Sequence, residues 1–169
     1  MHYKIIVAVC KGRGIGYKNT LPWRIKEDLR HFSKVTKGSG NNAIIMGKNT
    51  WDSLGRKPLP NREHYILSSS LLHDCEEGVY ICKTMAEVDE LCTKKQYDDV
   101  WIIGGSSIYR QYLERNIIDE CIVTYINDDY ICDTFFPQLP IGEWNIDDEK
   151  KMENASGADI IIKHYKALK

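Results

Sequence analysis

Seven short apolar runs, at 5–10, 43–46, 64–68, 79–82, 100–103, 121–126 and 158–165, recur along this chain with helical or loop segments between them. Few folds accept that pattern. The first five are separated by stretches long enough for a crossover, and each run is nearly continuous in Ile, Val, Leu or Tyr instead of alternating with polar residues. Such runs belong to parallel strands covered on both faces. The intervening helices have readable starts. Segment 28–36 carries a helical stripe, Thr50 opens a short helix, Thr84 caps 85–92 with Glu87 at the third position, and Ser106 opens 107–115. The last two runs are long enough to pair as an antiparallel hairpin across a looser segment, 127–157. The expectation is an α/β chain of one domain, residues 1–169, with a mixed, mostly parallel sheet flanked by helices.

The 169 residues suffice for one hydrophobic core. With 23 basic and 24 acidic side chains the formal charge is -1, so no basic field points to nucleic acid or to an anionic membrane. No run approaches transmembrane length and the start has no signal-peptide layout, which gives an expectation of a cytoplasmic protein. Six cysteines, at 10, 75, 82, 92, 121 and 132, show no metal-knuckle spacing and read as free thiols, with Cys10, Cys82 and Cys121 in or beside strands. The five histidines form no cluster at ligand spacing, so no metal is expected.

One acid stands out. In Leu21-Pro22-Trp23-Arg24-Ile25-Lys26-Glu27-Asp28-Leu29-Arg30-His31-Phe32, the residues Ile25, Leu29 and Phe32 mark an inward stripe, and Asp28 lies on or beside it. A carboxylate there is costly unless a cation or donor meets it; pairing with a neighbouring Lys or Arg at a partly exposed site is the plain alternative. A second signal is Val100-Trp101-Ile102-Ile103-Gly104-Gly105-Ser106-Ser107-Ile108-Tyr109, a strand that runs through two glycines into a helix. Glycines let the backbone approach a ligand, and free helix N–H groups favour an anion; a simple tight turn would use the same residues. Met46-Gly47-Lys48-Asn49-Thr50 repeats the arrangement with a cation, and Leu67-Ser68-Ser69 ends another strand in hydroxyls. Three such strand ends point to a dinucleotide lying across the carboxyl edge of the sheet. Gly12-Arg13-Gly14-Ile15-Gly16 lacks the Rossmann spacing and reads as a flexible loop that could close over a site.

Along nearly its whole length the chain resembles the dihydrofolate reductase family. The matching pieces are Ile15-Gly16, Asn19-Thr20-Leu21-Pro22-Trp23, Asp28-Leu29 with Phe32, Ile45 to Arg56, Pro58-Leu59-Pro60-Asn61-Arg62, Ile103 to Tyr109, and Asp133-Thr134-Phe135-Phe136-Pro137, in order. The resemblance implies an eight-stranded mixed sheet with four helices, and NADPH-dependent reduction of 7,8-dihydrofolate to 5,6,7,8-tetrahydrofolate. It assigns catalytic roles to Asp28, Trp23 and Leu21. Substrate contacts fall to Ile6, Asp28, Phe32, Leu54, Arg62, Ile103, Tyr109 and Thr124. In this scheme the backbone carbonyls of Ile6 and Ile103 meet the pterin edge, Thr124 supports the acid, and Arg62 clamps the substrate's glutamate α-carboxylate. Cofactor contacts fall to Ala8, Ile15, Gly47, Lys48, Asn49, Thr50, Leu67, Ser68, Ser69, Gly104, Gly105, Ser106, Ser107, Ile108 and Tyr109. Dihydrofolate and antifolate-like diaminopyrimidines are the implied small-molecule partners, and the chain is expected to act as a monomer.

Two departures stand out. Where many relatives place Arg or Lys beside the adenosine 2′-phosphate, this chain has Ser69-Ser70 and Ser106-Ser107, leaving Lys48 as the evident cation. Where a glycine often precedes the Asp-Thr pair, it has Cys132. Two other readings use part of the same pattern: a pyrimidine reductase of the riboflavin-biosynthesis type and a nucleotide-binding module without catalysis. Asp28 together with Pro22-Trp23 and Arg62 points away from the first, and the intact acid, clamp and cofactor strand ends argue against the second.

Overall fold

The computed structural model describes residues 1–71 and 76–169; Cys75 and His73 lie outside the described residues. In chain order the elements are β1 (His2–Val9), β2 (Gly14–Gly16), α1 (Lys26–Lys37), β3 (Ala43–Gly47), α2 (Lys48–Ser53), β4 (Glu63–Leu67), β5 (Val79–Cys82), α3 (Met85–Lys95), β6 (Asp99–Gly104), α4 (Ser106–Glu114), β7 (Ile118–Ile126), β8 (Thr134–Phe135), β9 (Trp144–Lys151) and β10 (Ile160–Ala167). Eight strands make one sheet in the order β5-β4-β3-β6-β1-β7-β10-β9, and β2 and β8 form a separate two-stranded ribbon. Pairing from β5 through β7 is parallel, and β10 runs antiparallel to both β7 and β9. The sheet is thus mixed and mostly parallel, flanked by helices.

The apolar runs are continuous because both faces of the sheet are covered. Successive strand residues point to opposite faces, so Ile5, Val7, Val9, Ile45, Tyr65 and Ile102 pack on one side, and Ile6, Ile44, Met46, Ile66 and Trp101 on the other. Strand β3 is buried at all five positions. Burial of that many branched side chains, each worth about 1.5–3 kcal/mol when fully removed from water, fixes the register of the strands and with it the positions of their carboxyl ends.

Several expectations need correction. The segment 127–157 is not simply loose: it contains β8 and β9. Strand β9 escaped notice because it is an edge strand of mostly charged residues with seven of its eight positions exposed, so it has no apolar period. Strands β7 and β10 pair as expected, but the chain forms β9 before it reaches β10. The glycine segment 12–16 is not a free loop either; after one 3-10 turn it forms β2, which pairs with β8. Leu29 belongs to no core stripe, being 41% exposed on the wall of the cleft described below. Helix α1 begins at Lys26, α2 at Lys48 rather than Thr50, and α4 at Ser106 with Gly105 as its N-cap. Thr84 does cap α3, its hydroxyl accepting from the Glu87 N–H at 3.2 Å.

A histidine with no role in the sequence reading shapes the β4 region. His64 is fully buried; its Nε2 accepts from the Leu59 N–H at 2.8 Å, and its ring meets Trp51 edge-on. The ring must be neutral to accept that bond, and burial lowers its pKa from 6.5 to about 4. The unfolded chain therefore binds a proton between pH 6.5 and 4 that the folded chain refuses. The stability this group supplies is present above pH 6.5 and is lost as pH falls towards 4, by about 2–3 kcal/mol in all. Urea midpoints measured across that range should fall less steeply in His64→Gln than in the unsubstituted chain.

Candidate active site

Parallel strands β4, β3, β6 and β1 end on one edge, and there a cleft of about 1020 Å³ opens between α1, α2, α4 and the segment after β1. Its walls include Ile6 and Ala8 of β1, Ile15 and Leu21 of the following segment, Asp28 and Phe32 of α1, Leu54 after α2, Ile103 of β6, Tyr109 of α4 and Thr124 of β7. The other end is lined by Gly47, Lys48, Asn49 and Thr50, by Leu67, Ser68 and Ser69, and by Gly105, Ser106, Ser107 and Ile108. Residues read from separated parts of the sequence thus share one cleft, with an acid at the apolar end and hydroxyls and amides at the other.

Asp28 sits in the first turn of α1, where its negative charge suits the helix N-terminus, yet it is only 7% exposed. Burial raises its pKa from 3.8 to about 6. The Trp23 indole opposes the shift, and its N–H is itself buried without a hydrogen-bond partner among the described residues. No cation among the described residues offsets the burial. Thr124, buried on β7, lines the same cleft, but its hydroxyl forms no hydrogen bond to Asp28. Trp23 lies behind the wall rather than on it, packed at 5.4 Å against Tyr130.

Arg62 also lies off the cleft lining. It is 8% exposed, with Nε donating to the Pro60 carbonyl at 2.9 Å and one terminal nitrogen donating to Thr36 at 3.0 Å. Burial lowers its pKa, and no carboxylate among the described residues counters that effect. A guanidinium fixed in place by neutral acceptors keeps donors available for a carboxylate brought to it. The Ile6 carbonyl, expected at a ligand edge, already accepts from the Tyr109 hydroxyl at 2.9 Å; its second lone pair is what a ligand could use.

At the other end the β6–α4 junction holds Gly104 at φ +112°, where a Cβ would lie 3.0 Å from the Tyr109 ring. Gly104 is consequently packed beneath the wall, and Gly105 lines it. Helix α4 has no acid in its first turn and no side-chain cap, so nothing in that turn offsets the positive end of the helix. Lys48 is less free than the sequence implied, lying 3.5 Å from Asp52, which also pairs with Arg56.

The sequence model of the family described as "Dihydrofolate reductase" matches residues 2–167. The chain belongs to that family. It is 34% identical over 148 residues to a dihydrofolate reductase of Drosophila melanogaster, covering 83% of this chain and 81% of the relative. It is 36% identical over 150 residues to that of Aedes albopictus, with 81% and 80% covered, and 35% identical over 162 residues to that of Ureaplasma parvum, with 96% and 95% covered.

In this dihydrofolate reductase family member, sequence reasoning missed two cations, Lys83 and Arg110, which also line the cleft. Half of the signal for Lys83 was in the sequence, and half in the strand order. It follows β5 directly, as Lys48 follows β3, and the strand order β5-β4-β3-β6 carries a fourth carboxyl end to the same edge. Arg110, in the second turn of α4, had no such mark.

The isolated acid has a thermodynamic signature. Between its unfolded value near 4 and its folded value of about 6, the folded chain holds a proton that the unfolded chain releases, so the group's contribution to stability falls as pH rises through that window. Asp28→Asn should accordingly be more stable than the unsubstituted chain at pH 8, by about 1–2 kcal/mol once imperfect amide pairing is allowed for. At pH 4 the difference should vanish. Urea denaturation at the two pH values measures it.

Proposed function

We propose that this chain reduces 7,8-dihydrofolate to 5,6,7,8-tetrahydrofolate with NADPH. The observation that carries the reading is the buried Asp28 carboxyl, without a cation among the described residues, at the apolar end of a cleft whose far end presents serine and threonine hydroxyls and lysines. A dihydropterin offers two adjacent donors, a ring N–H and an exocyclic amine, which one carboxylate accepts side by side. Phe32 and Leu54 would grip the rings, and Ile6 and Ile103 carbonyls would take the remaining edge. Arg62, held by Thr36 and Pro60, would receive the α-carboxylate of the glutamate tail.

Lys48, Asn49, Thr50, Ser68, Ser69, Ser106 and Ser107 would hold the cofactor, with Lys83 adding the charge that the serine-rich strand ends lack. NADPH when bound supplies the hydride for C6. The chain's own part is orientation and the proton. Asp28 holds the far edge of the ring and supports positive charge there, while a water beside Leu21 and Trp23 delivers a proton to N5. The segment carrying Ile15 and Leu21 covers the site and limits water during the reaction.

Oxidation of NADPH should be rapid with dihydrofolate and absent with a pyrimidine substrate or with none. Asp28→Asn should cut turnover at neutral pH by at least ~100-fold, with partial recovery in acid where substrate arrives protonated; near-normal turnover at pH 7 would end the assignment. Arg62→Leu should weaken the glutamate-bearing substrate by about 2–5 kcal/mol and leave a small diaminopyrimidine almost unaffected. Dissociation constants for the two ligands separate a tail clamp from a residue that only supports the fold.

A further inference from the structure

Two thiols meet at the root of the segment that walls the cleft's mouth. Cys10 follows β1 and is 4% exposed, Cys132 lies half-buried in the turn before β8, and their sulfurs are 3.7 Å apart. Gly14 lies over the pair, where a Cβ would sit 2.4 Å from the Cys132 sulfur and 2.9 Å from that of Cys10. The same two segments are tied by weaker links. The Asp133 N–H donates to the Gly16 carbonyl at 2.9 Å, the Phe136 N–H to that of Arg13 at 2.8 Å, and the Lys18 N–H to the Asp133 carboxylate at 2.9 Å. Between these anchors and Trp23 the chain presents Ile15, Gly16, Asn19, Thr20 and Leu21 to the cleft.

We propose that Cys10 and Cys132 are a reversible dithiol–disulfide latch that fixes the cleft-covering segment to the 127–136 segment under peroxide. The sulfurs already touch, and a bond requires them to close to about 2 Å. Cys132 is the more exposed and is the site of attack; burial and the neighbouring Cys10 thiol push its pKa up to about 11 and keep the thiolate fraction small, so the step is slow at neutral pH. Its thiolate takes one oxygen of hydrogen peroxide as the O–O bond breaks, giving a sulfenic acid, and the thiol proton leaves with the departing hydroxide as water. The Cys10 sulfur then displaces hydroxide from Cys132, and that hydroxide leaves with the Cys10 proton as a second water. Two thiols and one peroxide become one disulfide and two waters: the sulfurs lose two electrons and the peroxide oxygens gain them. A small dithiol reverses the step by exchange.

The latch replaces hydrogen bonds that open and close with a covalent tie between segments 122 residues apart. Its effect on turnover rests on the reductase reading above; its formation and its effect on the segment do not. The full chain, with Cys75→Ser throughout, is treated with hydrogen peroxide, mapped as peptides without reductant, and followed by hydrogen exchange of residues 14–20. A linked peptide pair containing positions 10 and 132 is expected, with exchange slowed about tenfold or more. Turnover should fall in parallel, and dithiothreitol should restore both. Cys132→Ser should show none of these changes while keeping the activity of the reduced protein. No linked pair, or a linked pair whose segment exchanges as fast as in the reduced protein, overturns the latch. A latch that forms with no reductase activity in either state would instead count against the function.

Discussion

A carboxyl group that the fold buries without a cation is the feature on which the rest of this structure depends. Asp28 is placed by the first turn of α1, whose dipole eases the burial of a negative charge, and is closed in by the apolar walls of the cleft. Left alone, its ionised form costs stability above about pH 6, and no cation among the described residues offsets that cost. The paired donors of the proposed dihydropterin substrate would. The same logic applies to Arg62, a buried cation restrained by a carbonyl and a hydroxyl and lacking an acid. The two charges are opposite in sign and both buried, and in the proposed function each meets a partner from outside the chain.

The sheet makes this possible by simple geometry. Parallel pairing from β5 to β7 brings the ends of strands distant in sequence to one edge, and each following helix begins there. Gly104 and Tyr109 show how closely that edge is packed: the glycine admits the ring, and the ring's hydroxyl reaches across to β1 at Ile6. Loss of either would disturb the junction of three elements rather than one contact.

Much of the fold was legible because buried parallel strands declare themselves as continuous apolar runs, and the carboxyl-edge cluster followed from their turns. What escaped had physical reasons. Strand β9 is charged and exposed on both faces, held by pairing with β10 and not by burial. The β2–β8 ribbon is three and two residues long, too short for any period to register. His64 was passed over because a lone histidine in a strand gives no clue that its nitrogen accepts from a backbone amide five residues earlier. Lys83 lay one residue beyond a recognised strand, and only the strand order showed that it belonged to the site.

The central claim is that Asp28 is buried without a compensating cation in the free protein. Carbon-detected NMR of the Asp28 side-chain carboxyl, followed from pH 3 to 9 in the absence of ligand, tests it directly. The account predicts a midpoint of about 6. A midpoint near the ordinary aspartate value of 3.8 would show that the carboxylate is already solvated or paired, and would contradict it.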